Sequence, residues 1–279
     1  MSKRTIRAGI VLLSVAIAVP AAAPAQVAIE INGDAALATV ELAGGIAVDV
    51  TIGFEEALGL SASSLGLDAQ LVSLSDPALL TRLPSGASLS SAFPLMLTIE
   101  PPLSGPLSFR GVVSIELHTH QLEYTAGTPL RLFAAPLDGP FRDITSTMGM
   151  GSYRVRGTKG GFSQFLILAD LRDADPVIDG KFSRLQDLLD ASAASIPAIV
   201  HDELQDTFDA AWSAWSVLGD AGTARTEVES FAQLVREHGG TAIPDVWRSS
   251  RDLVNVAGEL RAAADTLRFG LNLRSSALP

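Results

Sequence analysis

The hydrophobic pattern of this chain changes its period once, close to Asp170. Before that point, short runs of alternating apolar and polar residues are separated by turn residues, which is typical of half-buried strands. After it, apolar residues recur every three or four positions, as at Ile178, Phe182, Leu185 and Leu189, which indicates amphipathic helices. Strands first and helices second predict a segregated α+β fold.

We expect residues 26–172 to form an antiparallel β-sandwich. Asn32-Gly33 and Gly44-Gly45 are turn signals that divide the first three strands into a meander. Many short strands at fairly even spacing predict two packed antiparallel sheets. The expected strands are residues 27–32, 37–42, 46–52, 71–74, 93–99, 111–124, 130–134, 153–156 and 162–169.

We expect residues 173–279 to form an antiparallel helical bundle, because each apolar stripe is followed by a short connection. Asp175-Pro176 has the signature of an N-cap followed by a first-turn proline, and so opens the first helix. Ser249 and Asp252 resemble a capping box that opens the last helix. We therefore expect no strand of the sandwich after Lys181.

Residues 1–25 have the layout of a signal peptide. An uncharged apolar run over residues 8–19 is too short to span a bilayer, since a membrane helix needs roughly 20 apolar residues. Ala23-Pro24-Ala25 supplies the small-x-small site that a signal peptidase cuts. We expect cleavage near Ala25 and a periplasmic or secreted mature protein. The basic start of the segment contains Lys3, Arg4 and Arg7.

The composition of the mature chain excludes several classes of partner and site. Without residues 1–25 the chain has 17 basic and 31 acidic residues, a formal charge of −14. Nucleic acids and anionic membrane surfaces are therefore disfavoured, since both need a basic face. The chain has no cysteine, which excludes disulfides, catalytic thiols and thiolate metal sites. No run after residue 25 is long and apolar enough to span a membrane.

Glu116, His118 and His120 are the first candidate metal ligands. They alternate along the strongest predicted strand, so they share one face and lie about 7 Å apart at each step. Two imidazoles and a carboxylate suit zinc, although a structural zinc site usually has a fourth protein ligand, and none can be assigned here. The alternative interpretation is the ordinary solvent-exposed face of an amphipathic strand.

Asp170, Asp173, Asp175 and Asp179 are a second set of candidate metal ligands, at the point where the period changes. Carboxylates at this spacing can coordinate calcium. The alternative is structural, since Asp175 is the expected N-cap and acidic residues near a helix start interact favourably with the helix dipole.

Trp212 and Trp215 permit two interpretations. They form either a platform for stacking against a sugar or part of the helical core, and the core is favoured because both follow the apolar stripe of their helix.

The helical third resembles the FIMAH-type C-terminal modules appended to many secreted bacterial proteins. The resemblance lies in a pattern of apolar and small residues only. The matching positions are Phe182, Leu185, Leu188 and Leu189, then 223–237 with Phe231 and Val235, then 256–260 and Ala263, Ala264 and Leu267.

The whole chain, including Ile243-Pro244-Asp245-Val246-Trp247, is similar to an uncharacterised secreted family of Gram-negative bacteria with a domain of unknown function. That resemblance implies export and a two-part layout, and it implies no catalytic residue.

These observations favour an exported, non-enzymatic binding or envelope-associated module. It would need no cofactor, and its partner would be a protein or a glycan. One alternative is a secreted hydrolase that uses surface carboxylates, and another is a metal-dependent module at Glu116, His118 and His120. A deep cleft with convergent perturbed acids would favour an enzyme, whereas a convex surface would favour a binding module.

Overall fold

The computed structural model describes residues 25–276 and confirms the segregated α+β layout. The signal peptide expected at residues 1–25 lies, apart from Ala25, outside the described residues. The strands are β1 (Gln26–Asn32), β2 (Ala35–Leu42), β3 (Ile46–Leu58), β4 (Leu67–Leu71), β5 (Ala87–Leu89), β6 (Leu95–Ile99), β7 (Ser108–Glu123), β8 (Leu130–Ala135), β9 (Arg142–Asp143), β10 (Thr145–Gly149), β11 (Ser152–Lys159), β12 (Gln164–Asp170) and β13 (Val246–Arg248). The helices are α1 (Ala62–Leu65), α2 (Pro77–Leu80), α3 (Ala174–Ser192), α4 (Ala198–Ser216), α5 (Ala221–His238) and α6 (Val256–Ser276).

The strands form two antiparallel sheets. The first has the order β1-β2-β3-β7-β11-β10, and β13 also pairs with β7. The second has the order β4-β6-β12-β8-β9, and β5 also pairs with β12. The predicted antiparallel sandwich and its opening three-stranded meander are therefore confirmed.

The main core lies between the two sheets. Alternate residues of β3 and β7, such as Ile52 and Ile115, point inward and are fully buried. They share one apolar cluster with Leu97 of β6 and Phe165 of β12 on the opposite sheet. The other face of the second sheet is covered by a smaller cluster that includes Phe141. Strict alternation thus gives the sandwich its buried face, as the sequence pattern indicates.

Some sequence-based strand boundaries are wrong. The strand expected at residues 71–74 is instead β4, which ends at Leu71. β10 was not predicted, because its sequence, TSTMG, offers no alternation of apolar and polar residues. Short edge strands of this kind are specified by their neighbours in the sheet more than by their own side chains.

The first long helix, α3, begins two residues earlier than expected. Its N-cap is Asp173, and Asp175 lies within the first turn, so the assignment of Asp175 as the N-cap is wrong. A carboxylate in the first turn is still favoured by the helix dipole. The predicted buried face is confirmed by Ile178, Phe182 and Leu185, which are each 1% exposed.

The last helix, α6, begins at Val256 and is capped by Asn255. The Asn255 Oδ1 atom accepts a hydrogen bond from the Gly258 backbone N–H at 2.8 Å. The predicted capping box at Ser249 and Asp252 is therefore wrong, because Asp252 instead accepts a hydrogen bond from Ser250.

The expectation that no sandwich strand follows Lys181 is also wrong. β13 lies between α5 and α6 and pairs antiparallel with the first residues of β7. Its Trp247 stacks on Phe109 with ring centroids 5.3 Å apart and meets Phe162 edge-on at 5.0 Å. The helical part therefore contributes a strand to the first sheet, while the domain division at residues 172 and 173 stays a prediction.

None of the helices between residues 25 and 276 is long and apolar enough to cross a membrane.

Candidate functional site

Glu116, His118 and His120 lie on the outer face of β7, as their alternation predicts. Glu116 is held by two arginines of β11. Its Oε2 atom is 2.7 Å from the Arg156 guanidinium, and its Oε1 atom is 3.5 Å from that of Arg154. This carboxylate is therefore part of a cross-strand ion-pair ladder.

The two histidines have partners of their own. The His118 Nε2 atom lies 2.6 Å from the Ser152 Oγ atom, and its Nδ1 atom lies 3.7 Å from the Asp49 carboxylate. The rings of His118 and His120 meet edge to face, with centroids 5.0 Å apart. Within the described part of the chain, no group of three His, Cys, Asp or Glu residues is placed to hold a metal ion.

The four aspartates around the start of α3 point to different partners. Asp175 pairs with Arg274 of α6 at 2.7 Å, and Asp179 accepts a hydrogen bond from the Trp215 indole N–H at 2.7 Å. Asp173 is the N-cap and makes no capping hydrogen bond through its side chain. Asp170, at the end of β12, pairs with a neighbouring arginine described below. The structure does not bring these carboxylates together around one point.

The two tryptophans of α4 differ in their surroundings. Trp215 is partly buried against the helical core, whereas Trp212 is 39% exposed and packs edge-on against Phe182 at 5.2 Å. The expectation that both belong to the core is therefore wrong for Trp212. A glycan partner stays a prediction.

A further candidate site lies elsewhere, in a cleft between the sandwich and the helices. It has a volume of about 330 Å³ and is walled by the loop after α2, by β9, by α3 and by α6. Small-molecule sites usually have volumes of about 300–1,000 Å³, so a compact ligand would fit. We call this site the junction cleft and define it by Arg82, Phe141, Arg142, Lys181, Arg184 and Thr266.

Apolar groups form much of the cleft wall. Phe141 is 2% exposed, and the Arg82 guanidinium lies 4.8 Å from the centre of its ring. Arg82 also donates to the Gly139 carbonyl at 2.8 Å and to the Gln164 side-chain oxygen at 2.6 Å. This arginine is therefore fixed in place by the loop and by β12.

Lys181 forms a nearly buried ion pair at the base of the cleft. Its Nζ atom is 2.6 Å from the Asp143 carboxylate and 3.0 Å from the Thr266 carbonyl oxygen. The side chains of Lys181 and Asp143 are only 10% and 5% exposed. Breaking such a pair leaves an uncompensated buried charge, so the pair locks α3 to β9 and α6.

Arg172 is also paired. Its guanidinium makes two hydrogen bonds of 2.7 Å to the Asp170 carboxylate. Burial alone would raise the pKa of Asp170, but the hydrogen bonds and positive charge of Arg172 outweigh it and hold that pKa below its ordinary value. Asp170 therefore stays ionised beside the cleft.

Arg142 and Arg184 are the two cleft cations left without such partners. Neither side chain makes a hydrogen bond or an ion pair within residues 25–276. Five basic side chains line the cleft against one acidic side chain, in a chain whose formal charge is −11. A concave site with a local excess of one charge attracts ligands of the opposite charge, so the junction cleft is suited to holding an anion.

Gly180 gives the cleft part of its open space. It lies on α3 immediately before Lys181 and lines the cleft, and a Cβ atom built there would meet nothing within 4 Å. Pro176, Gly180 and Arg184 follow one another at four-residue spacing, so they share one face of the helix.

Sequence reasoning missed the junction cleft because its residues are distant in the chain. Its cations come from the loop after α2, from β9, from the end of β12 and from α3. The available signal was weak: Lys181 and Arg184 flank the apolar stripe of a helix in a strongly acidic chain. Only the folded structure, in which Lys181 of α3 pairs with Asp143 of β9, brings them close to Arg82 and Arg142.

The sequence matches one family model over residues 11–274, and that model is described as a family of unknown function (DUF6689). No curated protein and no solved structure matches the chain.

Proposed function

The chain belongs to the DUF6689 family of unknown function, and we propose that it is an exported, non-enzymatic module that binds a small ligand in the junction cleft. The observation that carries the proposal is the cleft itself. It is enclosed by both parts of the fold and has a volume of about 330 Å³. Three of its five cations are already fixed by neighbouring groups, so the site is organised before a ligand arrives.

Export is supported by the sequence of residues 1–25, with its basic start, its short apolar run and its Ala23-Pro24-Ala25 site. The resemblance to a secreted Gram-negative family, and of the helical part to FIMAH-type modules, supports the same proposal. Expression in a Gram-negative host should yield periplasmic or secreted protein whose mass begins at Gln26 or within a few residues. A cytoplasmic product that retains Met1 would refute export.

Binding is favoured over hydrolysis by the kind of groups that line the cleft. Hydrolysis by paired carboxylates needs one acid to give a proton while the other acts as a base or nucleophile. The cleft contains one carboxylate, Asp143, and Lys181 holds it in an ion pair at 2.6 Å. The remaining polar groups are cations and hydroxyls, which suit recognition of a ligand.

The proposal can be tested by filling the cleft without changing its charge. Gly180→Trp places an indole where the structure leaves open space, and replacing a helical glycine also favours the helix. Ser213→Trp is the matched control, because Ser213 is exposed on α4 and does not line the cleft. Ligand-observed NMR with a panel of neutral, cationic and anionic aromatic fragments measures binding.

We expect some fragments to bind the wild type and the Ser213→Trp control and to lose binding to Gly180→Trp. Thermal melting of the three proteins checks that each is folded. A folded Gly180→Trp protein that retains every fragment bound by the wild type would place binding outside the cleft. A wild type that binds no fragment would also contradict the proposal.

A further inference from the structure

We propose that the ligand of the junction cleft is a small organic carboxylate, with an apolar body and an anionic end held by Arg142 and Arg184. This inference rests on the proposed function and adds the chemical class of the ligand. It rests on three features of the cleft. Some of its cations already have hydrogen-bonding partners (the occupied cations), two have none among residues 25–276 (the unoccupied cations), and part of its wall is apolar.

The charged side chains in and beside the cleft give it a positive electrostatic potential. Arg82, Arg172 and Lys181 are hydrogen-bonded to neighbouring carbonyl, amide or carboxylate oxygens at 2.6 to 3.1 Å. Two carboxylates, those of Asp143 and Asp170, balance two of the five positive charges in and beside the cleft. The surplus is therefore about three positive charges, which disfavours cationic ligands and gives neutral ligands no electrostatic gain.

The two unoccupied cations, Arg142 and Arg184, supply the groups that bind the carboxylate of the ligand. Arg142 is exposed on β9 and Arg184 is half-buried on α3, so they face the cleft from two different walls. A guanidinium is a planar fork of donors that fits the two oxygens of a carboxylate. Because neither arginine has an internal partner within residues 25–276, an entering anion breaks no existing ion pair when it binds them.

The apolar wall explains why the ligand should have an apolar part as well as an anionic group. Leu83 and Val177 line the cleft with three prolines, whereas the lining residue Phe141 is itself almost fully buried. Burying apolar ligand surface against such a wall is favourable by roughly 25 cal/mol per Å². An inorganic anion would use the arginines and leave this wall wet, whereas an aromatic or aliphatic carboxylate would use both.

The test compares an anion with its uncharged isostere. Isothermal titration calorimetry of the wild type with 1-naphthoate and with 1-naphthamide separates the charge from the apolar body. We expect naphthoate to bind at least about tenfold more tightly than naphthamide, because each charge-assisted hydrogen bond contributes about that factor. We also expect the naphthoate affinity to fall when NaCl is raised from about 50 to 200 mM, since salt screens the attraction.

Two double variants locate the effect. Arg142→Gln/Arg184→Gln should lower the naphthoate affinity by about tenfold or more and should leave naphthamide unchanged. Arg225→Gln/Arg248→Gln removes the same charge from residues that do not line the cleft, and it should retain most of the naphthoate affinity. The altered side chains are surface-accessible, and thermal melting checks that both variants are folded.

Each outcome separates this inference from the proposed function. If naphthoate and naphthamide bind equally and Gly180→Trp abolishes both, the cleft is a binding site but the carboxylate inference is wrong. Unchanged naphthoate affinity in Arg142→Gln/Arg184→Gln would also overturn the inference. Inorganic phosphate that binds as tightly as naphthoate would overturn the requirement for an apolar body. Absence of binding by both naphthoate and phosphate would overturn the anionic class altogether.

Discussion

Replacing Asn255 with alanine should weaken the joint between the sandwich and α6 more than any exposed change on that helix. Asn255 is 2% exposed, and its side chain makes three hydrogen bonds. Its amide nitrogen donates to the Gly111 carbonyl at 2.6 Å and to the Gly160 carbonyl at 3.0 Å. Its Oδ1 atom accepts from the Gly258 N–H at 2.8 Å. One side chain thus caps a helix and ties it to two segments of the sandwich.

The expected cost follows from this count of bonds. Each lost hydrogen bond contributes a net value of about 1 kcal/mol, and a buried group left without a partner costs about 1–3 kcal/mol. The free energy of unfolding should therefore fall by about 3 kcal/mol or slightly more. For a protein of this size, 1 kcal/mol corresponds to about 2–4 °C, so the Tm should fall by about 6–12 °C.

Thermal melting and urea denaturation measure this cost, with Asn272→Ala as the matched control. Asn272 is exposed on the same helix, so its replacement should change stability by no more than about 0.5 kcal/mol. Asn255→Asp is a second variant, in which a carboxylate faces two carbonyl oxygens. It should be at least as destabilised at neutral pH and should recover partly on acidification. Equal Tm values for Asn255→Ala and Asn272→Ala would refute this account of the joint.

Three further outcomes are expected. Tyr153→Phe should raise the Tm by about 2–4 °C in thermal melting, because the Tyr153 hydroxyl is buried without a partner among the described residues and costs about 1 kcal/mol. His118→Ala/His120→Ala should lower stability by about 1 kcal/mol or less, and one zinc per chain lost in this variant by elemental analysis would contradict a purely structural role for the pair. Asp170→Asn should be less stable than the wild type at pH 7 in urea. The lowered pKa of Asp170 means that its ionised form stabilises the folded state, and this stabilisation is lost as the pH falls from 3.8 through the lower folded-state pKa. The difference in stability should therefore shrink below pH 3.8, and an unchanged difference at pH 3 would contradict this.

The sequence predicts the buried face of each long element and fails at its edges. β3 and β7 alternate over many residues, and the core positions of α3 recur at helical spacing, so local periodicity is enough to place them. β13 is only three residues long and lies between helices, so it has no periodicity to detect. Its position is specified by Trp247, which fills a space beside Phe109 that only the folded sandwich creates.

The candidate site was harder to predict than the fold, for a physical reason. The candidate metal ligands predicted from the sequence, Glu116 and the nearby histidines, are close together along one strand. In the structure Glu116 and His118 are engaged with side chains of neighbouring strands. The cations of the junction cleft are far apart in the chain, and their significance lies in which of them remain unpaired after packing. Pairing of this kind depends on side-chain geometry that no spacing rule describes.

The joint and the junction cleft depend on each other, which is why the two parts of the chain are best considered together. α6 approaches the sandwich closely because Gly258 and Gly160 have no side chains. A Cβ atom on Gly258 would lie 2.4 Å from the Gly111 carbonyl oxygen, and one on Gly160 would lie 2.6 Å from a backbone nitrogen of α6. The same helix places Thr266 where its carbonyl accepts from Lys181. The close glycine contacts therefore fix the helix that orients the Lys181 ion pair, and the shape of the cleft follows from how tightly the helical part is docked on the sandwich.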